Sequence, residues 1–470
     1  MEGLEATVIH SSEWRLDNDV LRLDSEYQLK VHRAAIDEVR AFGAIQFKED
    51  GPQIIHPHEI IREYVEEEGV WFLRAQNVRP LQIDPRNQVM ISEEDADKLM
   101  RNVVKRSDVL VTRTGANRGQ CAYFDREERA IASSHTFIIR PKNIDPEFLT
   151  LFLNTSHGVA QIDKGVYGAA QPEVAPYYLG NIWVPKVGAN LLMKLKAAFA
   201  MSKQQAVSAE SAIRDAEAVL LRILGLADWT PPEPLAYSAC ATDILASGRF
   251  DAQYFMPAKE LVRQSLALLP GQLLSKRVDS IREQWVPDRA PPTMLVRNYD
   301  VTDALVPLLD TEKEPSFASD IGSMKKVFKD GDVAISRLRS YLKEVAVVRS
   351  GDDIPSVGSS EFIVLRPKGT AISPEALMVF LRSAPVQTIL KWCQDGSQHP
   401  RFSESDLLSI PVPDAVAQVS DQITKIVQDS FTARHRARKL LEAAKRAVEI
   451  AIKNGEPAAL AYLDLAERMI

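Results

Sequence analysis

The chain has 470 residues, of which 45% are hydrophobic and 26% are charged, and its formal net charge at pH 7 is −7. This length exceeds what one hydrophobic core usually supports, so we expect at least two domains. The acidic total excludes a protein that coats nucleic acid by bulk attraction, and a DNA-binding function would need local basic patches.

The predicted elements occur twice, in the same order, about 224 to 228 residues apart. Both copies predict a strand, a basic turn and a second strand, followed by an apolar strand and an apolar helix. The matched blocks are RLDSEYQ from Arg22 with RFDAQYF from Arg249, DVLVTRTGANRGQCAYF from Asp108 with DVAISRLRSYLKEVAVV from Asp332, SSHTFIIRP from Ser133 with SSEFIVLRP from Ser359, DPEFLTLFLNTS from Asp145 with SPEALMVFLRSA from Ser373, and NIWVP ending at Pro185 with SIPVP ending at Pro413.

A long helix is predicted after each copy, because apolar and small residues recur alternately three and four positions apart, as in a coiled-coil seam. The bulky seam residues are Leu192, Leu195, Phe199, Ile213 and Leu220 in the first helix, and Val419, Ile423, Ile426 and Leu440 in the second. Small residues in the middle of both seams predict a close approach of the helix axes. We expect the two helices to pair, the alternative being that each packs only on its own module.

The proline-rich stretch WTPPEP, from Trp229 to Pro234, separates the first helix from the second module. The sequence therefore predicts an α+β fold with two similar globular domains, each followed by a long helix, the two helices forming an antiparallel coiled coil. The predicted boundaries are a first domain at 1–185, a helix at 186–226, a second domain at 227–413, a helix at 414–453 and a short tail helix at 454–470.

The turns after Asp108 and Asp332 combine the side chains that read base edges with those that contact phosphates. Their candidate DNA-binding residues are Arg113, Thr114, Asn117 and Arg118 in the first copy, and Arg337, Arg339, Ser340, Tyr341 and Lys343 in the second. Flanking basic residues make both regions locally positive: Arg101, Lys105, Arg106, Lys325, Lys326 and Lys329. The alternative is a solvated hairpin, although arginine recurs at matched positions, Arg113 and Arg337.

Two further pairs of segments are candidates for DNA contact. The loops after the apolar helices offer Lys164, Tyr167 and Gln171 in the first copy, and Gln398, His399 and Arg401 in the second. Aligning LRAQNV with VRNYDV adds Arg74, Gln76 and Asn77, and Arg297 and Asn298. The alternatives are a plain connector for the first pair and a strand end for the second.

The motifs of a catalytic centre are missing from the sequence. It contains neither a methyltransferase Asn/Asp-Pro-Pro-aromatic box nor a phosphate-binding GxxxxGK[ST] loop. Cys121, Cys240 and Cys393 lie far apart and the histidines form no HExxH pair, so we expect no metal, no cofactor and no enzymatic activity. The start of the chain lacks the build of a signal peptide and no long apolar run follows, so we expect a cytoplasmic protein.

Two related modules, each followed by a helix of similar sequence, with blocks such as DVLVTRTG, SSHTFIIRP, PEFLTLFLNT and LGNIWVP, resemble the specificity subunit of type I restriction-modification systems. The resemblance covers nearly the whole chain. It departs from the family at the openings RLDSEYQ and RFDAQYF, where many members have a tryptophan-rich block ending in Leu-Gly-Glu.

The resemblance implies that each module is a target recognition domain for one half of a bipartite DNA site, and that the helices form the spacer. It also implies adenine methyltransferase subunits, and a motor nuclease subunit where restriction occurs, as partners. Unlike residues in the two modules, such as Asn117 and Tyr341, predict an asymmetric target. Two alternatives remain: a stand-alone DNA-binding or decoy protein of a phage-defence cluster, and a cryptic metal-dependent nuclease that uses acids such as Asp332 and Glu344.

Overall fold

The computed structural model describes residues 14, 18, 20–65, 68–85, 88–115, 117–168 and 172–469. The chain forms two compact units. Unit 1 contains Met1–Gln205 and His435–Ile470, and unit 2 contains Ala206–Arg434. These units differ from the predicted boundaries, because each includes part of both long helices.

The helices and strands of the first copy, through its long helix, are listed here in chain order. They are α1 Lys30–Phe42, β1 Ala44–Gln46, β2 Gln53–Ile55, β3 Tyr64–Val65, β4 Val70–Leu73, β5 Val78–Arg79, β6 Gln82–Ile83, β7 Val89–Ile91, α2 Glu93–Lys98, β8 Val103–Val104, β9 Val109–Thr112, β10 Cys121–Tyr123, β11 Ala130–Ala132, β12 Thr136–Arg140, α3 Pro146–Leu153, α4 Ser156–Lys164, β13 Val166–Tyr167, β14 Glu173–Val174, β15 Trp183–Pro185 and α5 Ala189–Ile223.

The second copy continues the same numbering. Its elements are α6 Ala241–Ser247, α7 Pro257–Ala267, β16 Gly271–Leu273, α8 Leu274–Arg277, β17 Val278–Ile281, β18 Gln284–Trp285, β19 Leu295–Tyr299, β20 Ser316–Phe317, β21 Lys325–Phe328, β22 Val333–Ser336, β23 Val345–Val347, β24 Ser356–Gly358, β25 Phe362–Pro367, α9 Pro374–Arg382, α10 Ala384–Cys393, α11 Glu404–Leu408, β26 Pro411–Pro413, α12 Ala415–Gln418, α13 Ser420–Asn454 and α14 Glu456–Met469.

The sheets repeat as the sequence blocks do. A four-stranded antiparallel sheet has the order β10-β9-β12-β2 in unit 1 and β23-β22-β25-β17 in unit 2. A five-stranded mixed sheet contains the matched runs β8-β11-β4-β7 and β21-β24-β19-β20, and in both runs the two middle strands are parallel. The sheets differ at one edge strand, which is β3 beside β7 in unit 1 and β18 beside β21 in unit 2.

The central strands of the four-stranded sheet, β9 and β12 in unit 1 and β22 and β25 in unit 2, are buried on both faces, which explains why they are largely apolar. In unit 2, Val333 and Ile335 pack with the helices, whereas Ala334 between them packs toward the five-stranded sheet. Val109, Val111 and Leu110 divide in the same way in unit 1. Each module is therefore a layer of helices, a four-stranded sheet and a five-stranded sheet.

The apolar helices that follow the sheets begin at side-chain caps. Asp145 accepts hydrogen bonds from the N–H groups of Glu147 and Phe148, and Pro146 occupies the first turn of α3. Ser373 caps α9 by accepting from the N–H of Ala376 at 3.0 Å. Since these caps satisfy N–H groups that a helix start leaves unpaired, DPEF and SPEA fix where the two helices begin.

The openings of the two copies form the same turn. The Arg22 guanidinium pairs with Asp24 at 2.7 Å, and the carboxylate of Asp24 accepts from the N–H of Tyr27 at 2.9 Å. In the second copy Arg249 pairs with Asp251 at 2.6 Å. The shared letters of RLDSEYQ and RFDAQYF therefore stabilise a local turn.

Both long helices have 35 residues, so each is about 52 Å long at about 1.5 Å per residue. The predicted seam residues are buried or partly buried. Leu195, Phe199, Leu220, Ile423 and Leu440 are buried, and Leu192, Ile213, Val419 and Ile426 are partly buried against the cores. The tail forms α14, whose Ala459 and Leu463 join the core of unit 1.

Small polar residues lie on the buried side of both long helices. Within unit 1, the buried Ser202 hydroxyl donates to the carbonyl of Ala437 at 2.8 Å. Within unit 2, the buried Ser430 hydroxyl donates to the carbonyl of Ala209 at 2.7 Å. In each unit, therefore, a serine hydroxyl of one long helix donates to a carbonyl of the other.

Candidate nucleic-acid interface

The basic turn of the second copy leaves β22 at Arg337 and enters β23 at Val345. Arg339 and Lys343 adopt left-handed backbone conformations, with φ of +44° and +52°. The guanidinium of Arg382, at the end of α9, donates to the carbonyls of Lys343 at 2.7 Å and Val345 at 2.9 Å. Burial lowers the pKa of Arg382 to about 10. The turn is therefore held by a cation beneath it, and the strained residues of such loops are often functional.

The loop after α10 lies directly against this turn. Leu338 and Arg401 form an antiparallel bridge. The N–H of Arg339 donates to the carbonyl of Pro400 at 2.9 Å, and the N–H of Phe402 donates to that of Arg337 at 3.2 Å. Two of the predicted DNA-binding segments thus form one surface in unit 2.

Glu361, which precedes β25, joins the two loops electrostatically. Its carboxylate accepts from Nε of Arg337 at 2.9 Å and from Nη2 of Arg401 at 2.9 Å. Hydrogen bonds from Arg401 and then Arg337 hold the pKa of Glu361 below its usual value, although partial burial opposes this. Both arginines remain partly exposed, with 45% and 40% of their side chains accessible.

Exposed side chains surround this trio of charges. Tyr341 is 60% exposed at the apex of the turn. The guanidinium of Arg339 contacts Nδ1 of His399 at 3.3 Å, and both His399 and Gln398 are exposed. The surface offers donors, acceptors and an aromatic ring, the groups that base edges and phosphates require.

Unit 1 contains the same pair of loops with different charges. Thr114 and Glu173 form the bridge that corresponds to Leu338 and Arg401, and the N–H of Val174 donates to the carbonyl of Arg113 at 3.0 Å. Here the carboxylate comes from the second loop, because Glu173 pairs with Arg113 at 2.7 Å. The two bridged loops therefore have the same backbone arrangement in both units, but their charged side chains differ.

Arg113 is also bound on its other side. Its Nη1 lies 2.7 Å from Nε2 of His56, and its side chain is only 19% exposed. Burial, and then the charge of Arg113, lowers the pKa of His56. Glu173 accepts from the hydroxyl of Tyr167, and this bond is the main reason why the pKa of Glu173 lies below its usual value. Thr114 contacts Nδ1 of His135 at 2.8 Å.

Several predicted site residues are buried and bonded within the protein. Lys164 donates to the carbonyl of Tyr27 at 3.2 Å, Asn77 donates to that of Asp84 at 2.9 Å, and Arg297 pairs with Asp352 through two bonds of 2.9 Å. Ser340 and Thr114 are also buried. A buried side chain cannot contact DNA in this conformation, so these five residues do not line the candidate surface.

The strand register also corrects the pairing of Arg74 with Arg297. Leu73 lies opposite Ala132 and Tyr299 opposite Gly358, and both partners precede the matched Ser-Ser pairs. Arg74 therefore corresponds to Asp300, and its N–H donates to Asn77 just as that of Asp300 donates to Asp303. The error arose because the two segments share letters three residues out of register.

The remaining predicted residues are at least partly accessible, apart from one outside the described part of the chain. Gln76 is exposed, and Asn117, Arg118, Asn298 and Arg74 are partly exposed. Gln171 lies outside the described residues. Of the flanking cations, Arg101, Lys105, Arg106 and Lys329 are exposed, and Lys325 and Lys326 are partly exposed on β21.

Five residues of the site were not predicted: His56, His135, Glu173, Glu361 and Arg382. His135 and Glu361 occupy the third position of the matched blocks SSHTFIIRP and SSEFIVLRP, so a comparison of unlike residues within these blocks would have found them. The same comparison would have found Arg382, which stands opposite Asn154 in the blocks from Asp145 and Ser373. His56 carries no such signal, because it lies outside the matched blocks.

The acids considered for a nuclease have other surroundings. The buried carboxylate of Asp332 pairs with Arg366 through bonds of 2.8 and 2.9 Å. Glu344 is buried, and burial raises its pKa. In the part of the chain that the structure describes, no group of three or more His, Cys, Asp or Glu residues could hold a metal ion. Within the same residues, no helix has the length and apolar character needed to cross a membrane.

The similarities of this chain to known proteins lie among solved structures. No protein-family model matches the sequence, and no curated protein matches it. An HsdS subunit from Thermoanaerobacter tengcongensis is 15% identical, with a TM-score of 0.26, over 86% of this chain and 97% of that one. The S subunit of the type I restriction-modification system from M. genitalium is 12% identical, with a TM-score of 0.34, over 86% of this chain and 93% of that one.

A third similar chain comes from a structure that describes complex assembly and conformational transition of the type I R-M system. It is 14% identical, with a TM-score of 0.28, over 88% of this chain and 97% of that one. TM-scores this low do not establish a function, so the functional argument depends on the geometry of the loops.

Proposed function

We propose that this chain is the sequence-specific DNA-binding subunit of a type I restriction-modification system and has no catalytic centre of its own. One observation carries the proposal: two bridged loops in each unit present arginine, amide and aromatic side chains around matched positions. Arginine and amide side chains read base edges, and the flanking cations suit phosphates.

The proposed DNA-binding surface contains the accessible members of the predicted set. In unit 1 these are Arg113, Asn117, Arg118 and Tyr167, and in unit 2 they are Arg337, Arg339, Tyr341, Lys343, Gln398, His399 and Arg401. Arg74, Gln76 and Asn298 are secondary candidates. Because the two sets differ in charge and shape, each unit would read a different sequence, and the complete target would be bipartite and asymmetric.

We further propose that the two long helices pair in antiparallel direction and act as a spacer of fixed length. In support, the first part of α5 packs with the last part of α13 in unit 1, and the remaining parts pack together in unit 2. Adenine methyltransferase subunits, with a motor nuclease subunit where restriction occurs, would supply the chemistry. The complex would work in the cytoplasm, where the DNA is.

The DNA-binding surface is tested by changing Arg113 and Arg337 together to Ala. We expect the double variant to fold normally and to lose binding to a duplex selected by the wild-type chain from a random-sequence pool. The matched control is Arg129→Ala, which removes a surface arginine paired with Glu93 and Asp97. Wild-type affinity in the double variant would refute the assignment.

The spacer is tested by inserting one heptad into each of the two long helices. If the helices set the distance between half-sites, the selected target should keep both half-sites and acquire a longer gap. An unchanged gap, mapped by selection or by methylation in the assembled complex, would rule out the spacer role.

A further inference from the structure

The two matched arginines, Arg113 and Arg337, are held in different ways. Arg337 uses only Nε to bind Glu361, and the described structure gives its two Nη groups no partner within the protein. Arg113 is engaged through Nη2 by Glu173 and through Nη1 by His56 and the carbonyl of Ser134. Arg337 therefore keeps a free donor edge, whereas most of the corresponding edge of Arg113 is occupied.

Glu361 fixes the free edge of Arg337. An unrestrained arginine side chain samples many rotamers, and a carboxylate on Nε restricts the plane of the guanidinium before any ligand arrives. The Nη groups form the paired donors that match O6 and N7 of guanine in the major groove.

Arg401 makes this arrangement compatible with DNA. Its Nε and Nη2 bind Glu361 and its Nη1 donates to the carbonyl of His399 at 3.0 Å, so the guanidinium is anchored on three sides. The charge of Arg401 offsets that of Glu361, which leaves the three side chains with a net charge of about +1. The carboxylate can thus orient Arg337 without repelling phosphates.

We infer that Glu361 is a positioning residue that orients Arg337 to read a guanine in the half-site bound by unit 2. This inference rests on the proposed function. The matched position in unit 1 is His135, so the same device is absent there, and Arg113 keeps only a small part of its donor edge for DNA.

The test uses the full-length chain and the duplex that it selects, with each guanine of the unit 2 half-site replaced singly by 7-deazaguanine. Removing N7 at the guanine that Arg337 reads should weaken wild-type binding roughly tenfold. Arg337→Ala should abolish this sensitivity, and Glu361→Ala should reduce it to about twofold or less while non-specific affinity stays equal or rises. Glu361→Asp, which keeps the carboxylate, should retain more of the sensitivity to 7-deazaguanine than Glu361→Ala does.

The matched control is Glu233→Ala, which removes a carboxylate that pairs with Lys391 outside the proposed surface and should leave this sensitivity unchanged. The inference is overturned if Glu361→Ala keeps the full sensitivity, or if it weakens specific and non-specific binding equally, as a merely structural defect would. If the wild-type chain selects no sequence at all, the proposed function fails as well, so the two failures are distinguishable.

Discussion

The acidic side chain of Glu344, next to the basic turn of unit 2, is buried. Burial raises its pKa, and one carboxylate oxygen has no hydrogen-bond partner. A carboxyl whose pKa is higher in the folded state stabilises the fold only at low pH. That stabilisation is lost as the pH rises through the folded-state pKa, so ionisation of Glu344 destabilises unit 2.

Glu344→Gln should therefore increase the free energy of unfolding by about 1 kcal/mol at pH 8, and the difference should shrink toward pH 4. Chemical denaturation at the two pH values measures the effect. Glu314→Gln, an exposed acid of the same unit, is the control and should change little at either pH. An equal effect of Glu344→Gln at both pH values would contradict the explanation.

The matched aspartates that open the two strand–turn–strand blocks are structural residues. The buried carboxylate of Asp108 accepts from Arg140 at 2.8 and 3.0 Å and from the N–H of Lys105 at 2.7 Å. Asp332 accepts in the same way from Arg366 and from the N–H of Lys329. Their recurrence in the sequence reflects this ion pair.

Asp332→Asn should lower the free energy of unfolding by about 2 kcal/mol, because the amide turns one donor toward Arg366 and removes the opposite charge. Asp330→Asn is the matched control, since its exposed carboxylate pairs with Arg349 at 3.4 Å and should contribute at most about 1 kcal/mol. Thermal and denaturant unfolding measure both variants. Equal losses of unfolding free energy would show that the buried Asp332–Arg366 pair is no more stabilising than the exposed Asp330–Arg349 pair.

At the scale of elements, the long helices depend on small residues in their buried seam. Ser202, Ala209, Ala216, Ser430 and Ala437 are all buried. Small side chains leave room for the serine hydroxyls to reach carbonyls of the neighbouring helix. A bulky residue at such a position must displace that helix.

Ser430→Leu should thus destabilise unit 2 by about 2 to 3 kcal/mol, whereas Ser430→Ala should cost about 1 kcal/mol or less. Thr432→Leu, on an exposed position of the same helix, controls for the general effect of leucine. Denaturant unfolding followed by circular dichroism would distinguish them. A Ser430→Leu variant as stable as Ser430→Ala would show that the seam is loosely packed.

Many of the strands and helices could be predicted from the sequence, because the spacing of apolar residues and the internal repeat indicate the same elements. The blocks from Asp108 and Asp332 form antiparallel strand pairs, as predicted, and the PEFL and PEAL segments form helices. The segments LRAQNV and VRNYDV were misaligned, because their register depends on parallel pairing with strands about 60 residues away.

At the scale of the whole molecule, the net charge of −7 makes local cations decisive for the proposed DNA binding. Affinity should fall steeply between about 50 and 200 mM salt, because the release of counterions from the phosphates is less favourable when the bulk salt concentration is higher. Lys105→Ala should reduce the slope of log K against log salt by about 0.9 and leave the specificity ratio unchanged. Titrations by fluorescence anisotropy measure both quantities.

Lys391→Ala is the control for that measurement, because Lys391 is paired with Glu233 and lies outside the proposed surface. It should change neither the slope nor the ratio. If Lys105→Ala lowers the specificity ratio instead of the slope, Lys105 reads bases and does not contact a phosphate.

The duplication, the long helices and the basic turns were determined by the sequence alone, because each depends on residue types repeated at fixed spacing. Only the tertiary structure decided which arginines are free. Arg337 and Arg113 occupy matched positions, but Glu361, Glu173 and His56 come from other loops and strands, and their distances to a guanidinium cannot be read from spacing. The exposure of a polar side chain depends on such long-range contacts, and so does its capacity to read DNA.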